Sequence, residues 1–235
     1  MKLKFVIDSE YDSKMIWQML QGDDWKYRAE KMEIGVDLAE KFHKSKKTEC
    51  AQELKKLVQS KYNEVLPYMK KTLQQYQVSW DEIIEDFSKT VEELTYPWSY
   101  KEYKCIVTHF NPGISNWDRN IIGRWWKENS YLQRRMTAHE ILLAHYFSIH
   151  RNHFHNSSLT DKQIWALAEI AALALTGLEN KIKKFWPWDK SGYYTNHNYP
   201  RIVELQQKLH DPFKDRKNFK EYIETGINLV KQYKL

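Results

Sequence analysis

The stretch YKCIVTHFNPGISNWDRNIIGRWW, residues 103–126, decides the fold that the sequence predicts. Residues 103–110 are rich in β-branched and aromatic side chains and therefore favour a β-strand. The tripeptide Asn111-Pro112-Gly113 is a strong turn signal, and residues 120–126 favour a second strand. We therefore expect a β-hairpin at this point of the chain, within a small antiparallel sheet.

The hundred residues before this hairpin are predicted to be mainly helical. Residues 3–7 form the exception, since they have the pattern of a short strand that joins the same sheet. Ser79 and Glu82 form the pattern of a capping box, which indicates the start of a new helix that ends before Pro97. A cap at Asp12-Ser13 predicts a helix over residues 13–20, ending before Gly22. The period of the apolar residues predicts a helix over 24–60 with a break at 43–47, and residues 62–76 are expected to form another helix.

Helical periodicity returns from Gln133 to the end of the chain. Residues 162–177 are apolar on nearly all sides, which is typical of a central buried helix. An aromatic loop over 187–200 and two amphipathic helices, about 200–210 and 216–233, are expected to follow. The prediction is a single α+β domain over 1–235, mostly helical, with a helical N-terminal region (1–100), a core (101–180) and a C-terminal region (181–235).

Composition restricts the class of protein. The chain has 235 residues, 42% of them hydrophobic and 29% charged, as globular domains have. Its 37 basic and 31 acidic residues are interspersed, so that the net charge of +6 argues against a nucleic-acid partner. Two cysteines exclude both a disulfide framework and a cysteine-based zinc ribbon. There is no apolar run long enough for a membrane span, and the N-terminus does not resemble a signal peptide, so we expect a cytoplasmic protein.

The sequence AHEILLAH, residues 138–145, carries the clearest chemical pattern in the chain. A His-Glu pair on an apolar helix, just after a hairpin, resembles the zincin metallopeptidases and their H-E-x-x-H helix. The resemblance covers about residues 103–177 and implies a zincin-like core of a hairpin and two central helices. It also implies that His139 binds zinc, that Glu140 activates the zinc-bound water, and that Glu169 on the next helix is the third ligand of the gluzincin branch.

The pattern departs from the family at one ligand position. The second histidine of H-E-x-x-H falls at Leu143, which cannot bind a metal. The next histidine is His145, six residues after His139, which puts the two side chains about 120° apart on a regular helix. His145 can therefore complete the zinc site only if the helix is kinked there, for example by a π-bulge.

Two further groups of residues have both a functional and a structural interpretation. The resemblance implies that Tyr194 and His197 stabilise an oxyanion, as a Tyr or His beyond the third ligand does in gluzincins; the alternative is a packed aromatic loop. His150 and His153 share a helix face and can form a two-ligand metal site, or they can end a helix.

Three hypotheses for function follow. The first is a zinc-dependent peptidase that acts on a peptide or protein substrate. The second is a catalytically inactive zincin-fold protein that binds or scaffolds, having lost the second ligand. The third is a basic, aromatic nucleic-acid-binding protein, for which convergence of the lysine-rich stretches on one surface would be needed.

Overall fold

The computed structural model describes residues 1–110, 115–117, 119–129, 132–189 and 200–235. Helices account for most of these residues, which confirms the prediction of a mostly helical protein. The strands are β1 (Lys2–Val6), β2 (Glu102–Thr108) and β3 (Ile121–Trp125). The helices are α1 (Ser9–Met19), α2 (Trp25–Lys31), α3 (Val36–Lys44), α4 (Lys47–Asp81), α5 (Ile84–Leu94), α6 (Gln133–His153), α7 (Asp161–Gly177), α8 (Asn180–Lys183), α9 (Pro200–Lys208), α10 (His210–Asp215) and α11 (Phe219–Val230).

The sheet is parallel, so the predicted antiparallel sheet and its β-hairpin are wrong. The three strands lie in the order β1-β2-β3, and both neighbouring pairs run parallel. Phe5 pairs with Cys105 in the first pair, and Cys105 pairs with Ile122 in the second. The leading strand does join the sheet, as predicted, but through a crossover that contains the first five helices.

The length of the connection explains why the hairpin does not form. Thr108 ends β2 and Ile121 begins β3, which leaves residues 109–120 between them. Parallel strands need a connection of about a dozen residues, whereas a hairpin needs only two. The last four residues of β2, Cys105–Thr108, are also buried without a break, as in strands that are covered on both faces. The predicted turn at residues 111–113 lies outside the described residues.

Helix boundaries in the first half differ from the prediction at three places, one of which is the interruption of the expected helix between Lys31, where α2 ends, and Val36, where α3 begins. Helix α1 begins four residues early because the side chain of Asp8, rather than that of Asp12 or Ser13, accepts hydrogen bonds at its N-terminus. Helix α4 is continuous through Pro67 and Ser79, so the predicted ends and starts within it are wrong. The predicted break at residues 43–47 is confirmed, since α3 ends at Lys44 and α4 begins at Lys47.

Helices α6 and α7 form the centre of the molecule and pack along each other. Every residue of α7 from Ala166 to Gly177 is buried, which confirms the predicted central helix. Its N-terminus is capped by Thr160 and Gln163, each bonding the backbone of the other. Helix α6 packs on β3, while α4 and α5 pack on β1. Within the described residues, no helix combines the length and the apolar character of a membrane span.

Candidate functional site

A cavity of about 1110 Å³ lies beside the central helix pair. The turn between α1 and α2 forms one wall with Gly22 and Asp23, and the first turns of α7 and α9 contribute to another wall. Its lining also includes three charged side chains from β3, α6 and α7, namely Arg124, Glu140 and Glu169. This volume is at the upper end of what small-molecule sites have, and its lining joins aromatic rings to several charged groups.

Glu140 is held in place by the segment before β3. Its Oε2 accepts hydrogen bonds from Ser115 Oγ at 2.6 Å and from the Trp117 indole Nε1 at 2.8 Å. Ser115 Oγ also accepts from the backbone N–H of Gly123 at 3.0 Å, and the Trp117 ring stacks on Phe147. One oxygen of the Glu140 carboxylate is therefore fully occupied by protein donors, and the position of the group is fixed.

Arg124 extends from β3 toward the same carboxylate. Its side chain is only 4% exposed, and its Nε donates to Glu128 Oε2 at 2.7 Å while Nη2 pairs with the other Glu128 oxygen. Nη1 lies 3.8 Å from Glu140 Oε1, which is an ion pair but is too long for a hydrogen bond. Burial lowers the pKa of the Arg124 guanidinium, and two surrounding carboxylates compensate its charge.

His139 and Glu169 form a second, adjacent pair, as their positions on neighbouring helices require. His139 Nε2 lies 3.1 Å from Glu169 Oε2, and both residues are 9% exposed. Burial alone lowers the pKa of His139, but the hydrogen bond and the negative charge of Glu169, together with the charge of Glu140, outweigh burial, so that the pKa is raised. The raised pKa favours the protonated imidazolium of His139 beside Glu169.

His145 and Leu143 lie elsewhere on α6. His145 Nε2 is 3.1 Å from Thr95 Oγ1, at the end of α5, and its ring packs on Trp98. Burial lowers the pKa of His145 to about 3, so this histidine is neutral. Leu143 is fully buried in the apolar core. Helix α6 is α-helical from Gln133 to His153, without the π-bulge that would be needed to turn His145 toward His139.

Among the residues that the structure describes, the side chains around His139 and Glu169 do not fit a zinc ion. Catalytic zinc sites have three protein ligands and structural sites have four, whereas His139 and Glu169 are two. Within the described ranges, no group of three or more His, Cys, Asp or Glu side chains is arranged to hold a metal ion. His150 bonds Ser157 and His153 stacks on Tyr96, so these two histidines have structural partners. Tyr194 and His197, the two expected oxyanion donors, lie outside the described residues.

Sequence reasoning identified His139, Glu140 and Glu169 but missed Arg124, Ser115 and Trp117 as neighbours of the site. The missed residues lie in β3 and just before it, where the sequence predicts only part of a β-hairpin. A charged residue inside an otherwise apolar strand, such as Arg124 between Gly123 and Trp125, was the available signal, because a buried arginine needs a carboxylate partner.

Comparisons of the chain with protein-family models, with curated proteins and with solved structures found no match.

Proposed function

We propose that this chain is a non-catalytic ligand-binding protein, in which an ion pair stands where the zincin resemblance implies a zinc ion. The contact between His139 Nε2 and Glu169 Oε2 carries the proposal. The proton of the imidazolium compensates the buried carboxylate, as a metal ion does in the peptidases that the sequence resembles. A leucine at the second ligand position, Leu143, is compatible with this proposal, because an ion pair needs no further metal ligand.

The cavity supports binding as the activity. It is larger than a typical small-molecule pocket and combines the Trp117 and Trp165 rings with the fixed carboxylate of Glu140. The groups that contact Glu140 hold its carboxylate still, and a fixed charged group in an aromatic cavity orients a bound molecule. We further propose a cytoplasmic location, in keeping with two buried cysteines that are not paired with each other.

Metal analysis of the purified protein, with a peptidase assay, tests this proposal. We expect zinc far below one ion per chain, no rise in melting temperature when zinc is added, and no cleavage of a casein or peptide-library substrate. One zinc ion per chain, lost in His139→Ala together with proteolytic activity, would establish the peptidase instead.

A pair of variants distinguishes the ion pair from a metal site in a second way. His139→Ala leaves the buried Glu169 carboxylate uncompensated, and we expect it to lower the free energy of unfolding by roughly 3 kcal/mol. The double variant His139→Ala with Glu169→Gln removes that charge and is expected to recover some of the loss. A double variant that is no more stable than His139→Ala would contradict the ion-pair interpretation.

A further inference from the structure

The space between Glu140 and Arg124 contains two hydrogen-bonding atoms that have no hydrogen-bond partner among the described residues. Glu140 Oε1 is an acceptor, since its partner oxygen Oε2 already takes both protein donors. Arg124 Nη1 is a donor, since the Nε and Nη2 of the same guanidinium bind Glu128. The two atoms are 3.8 Å apart and both residues line the cavity.

Arg124 Nη1 has no acceptor within hydrogen-bond distance among the described residues, since Glu140 Oε1 is 3.8 Å away. Arg124 is 3% exposed as a residue, but its Nη1 is not one of the fully buried atoms without a partner, so this donor is open to the cavity that Arg124 lines. The guanidinium is held from behind by Glu128, so it cannot turn to satisfy Nη1 without breaking a two-bond ion pair. A ligand oxygen at Nη1 accepts a charge-assisted hydrogen bond from this donor.

The geometry points to a primary carboxamide, an unsubstituted –CONH2 group, as the portion of the ligand that binds between Arg124 and Glu140. This inference rests on the proposed function, since it names the chemistry that the cavity binds. The amide C=O accepts from Arg124 Nη1, and the amide N–H donates to Glu140 Oε1. Both bonds are made by one edge of one planar group.

Charged groups of the same shape fit less well. A carboxylate has two acceptors, and one of them would face the Glu140 oxygen. An amidinium has only donors, so it cannot accept a hydrogen bond from Nη1. Its positive charge would also lie beside the positive charge of Arg124. The three side chains Arg124, Glu128 and Glu140 sum to one negative charge, which favours a cation. A group bound between Nη1 and Oε1 nevertheless lies beside one charge of each sign, with Glu128 farther away behind the arginine.

A peptide bond is also excluded as the bound group. In a trans amide, the C=O and the N–H point in opposite directions from the two edges of the planar group. One trans peptide unit therefore cannot place its oxygen on Nη1 and its N–H on Oε1, which lie on the same side of the ligand. A primary amide has a second N–H on the same side as its oxygen, and this hydrogen makes the bond.

Four small molecules of one shape test the inference: benzamide, benzoate, benzamidinium and N-methylbenzamide. Dissociation constants are measured by ligand-observed NMR on the full chain. All four molecules contain the same phenyl ring, so that differences in affinity report on the polar group. We expect benzamide to bind at least about tenfold more tightly than the other three. Tighter binding of benzoate, benzamidinium or N-methylbenzamide, or no binding of benzamide, would overturn it.

Two variants that each remove one negative charge from the cavity complete the experiment. Glu140→Gln replaces the acceptor by a side chain that can donate, so we expect the order to change and benzoate to bind more tightly than benzamide. Asp23→Asn alters the charge of the same cavity away from the pair, and it is expected to keep the order of the unmodified protein. An unchanged order in Glu140→Gln would contradict the role of Glu140.

The result for the carboxamide and the result for the proposed function are separable. If benzoate or benzamidinium binds best and the purified chain holds no zinc, the ligand class is wrong while the cavity still binds. If zinc is present in one copy per chain and peptides are cleaved, the proposed function itself is wrong.

Discussion

Asp12 is a buried acid that joins three elements of the fold. It lies in α1, is 2% exposed, and accepts hydrogen bonds from Tyr62 of α4 and from Thr108 at the end of β2. Burial raises the pKa of Asp12 to about 6, although the two hydroxyl donors act in the opposite direction. The ionised carboxylate is therefore less stable in the folded protein than in the unfolded chain.

This raised pKa predicts a specific dependence of stability on pH. The contribution of Asp12 to folding is fully present below the unfolded pKa of about 3.9 and is lost as the pH rises through about 6. Asp12→Asn keeps an acceptor for both hydroxyls and cannot ionise. We expect the difference in unfolding free energy, Asp12→Asn minus unmodified protein, to rise between pH 4 and pH 7 by up to about 3 kcal/mol.

Denaturant titrations at several pH values measure this difference. Asp23→Asn is the matched control, since it makes the same change of side chain at an exposed position. A difference for Asp12→Asn that falls as the pH rises would mean that the hydroxyl donors stabilise the ionised form more than burial destabilises it.

The candidate site shows which residue contacts can be predicted from one sequence. The pairing of His139 with Glu169 follows from a motif with a known geometry on two consecutive helices. The contact between Arg124 and Glu140 depends on the path of the chain between β2 and β3. That path is set by tertiary packing, and no local spacing encodes it.

Helix α4 shows the same limit for a whole element. Pro67 and the capping pattern at Ser79 are local signals for a helix start, yet α4 runs through both from Lys47 to Asp81. The helix contributes buried side chains on both sides of Pro67, among them Val58 and Trp80. Burial along the whole length outweighs one missing hydrogen bond, because most helix stability in proteins comes from packing.

Pro67 nevertheless has a cost, which predicts a stabilising substitution. It has no N–H to donate to the carbonyl of Asn63, and proline inside a helix is less favourable than alanine by about 3 kcal/mol. Removal of proline also raises the conformational entropy of the unfolded chain, which reduces the gain in stability by about 1 kcal/mol. We therefore expect Pro67→Ala to raise the unfolding free energy by about 2 kcal/mol.

Chemical denaturation with far-UV circular dichroism measures the effect of Pro67→Ala. Val78→Ala is the matched variant, because Val78 is 63% exposed on the same helix and reports ordinary helix propensity, about 0.6 kcal/mol. If Pro67→Ala raises the unfolding free energy no more than Val78→Ala does, the backbone around Pro67 accommodates the proline without the expected loss of stability.

The direction of the strands was only partly predictable. The uninterrupted burial of β2 from Cys105 onward and the length of the connection to β3 both indicate a parallel pair. The turn signal at residues 111–113 nevertheless favours a hairpin. A turn is recognised from a few consecutive residues, whereas the strand with which a given strand pairs is not. The mostly helical content followed from periodicity alone, which depends only on residues within two turns.

The buried side chains of the described residues form two clusters. The larger surrounds the sheet, the central helices α6 and α7, and the C-terminal helices. The smaller lies between α1, α2, α3 and the part of α4 from Cys50 to Met69, and it includes Phe42 and Phe110. Helix α4 supplies side chains to both clusters, and Ile7 and Trp126 pack against both.

Because one helix belongs to both clusters, we expect the chain to unfold in a single cooperative transition. Phe42 in the smaller cluster and Phe87 in the larger are both fully buried, and truncation of either to alanine should cost about 3–5 kcal/mol. Each variant should lower the midpoint of the same transition, seen alike by tryptophan fluorescence and by far-UV circular dichroism. Independent clusters would behave differently: Phe42→Ala would then produce an early transition that involves only a fraction of the helical signal, while the rest would unfold at the original midpoint.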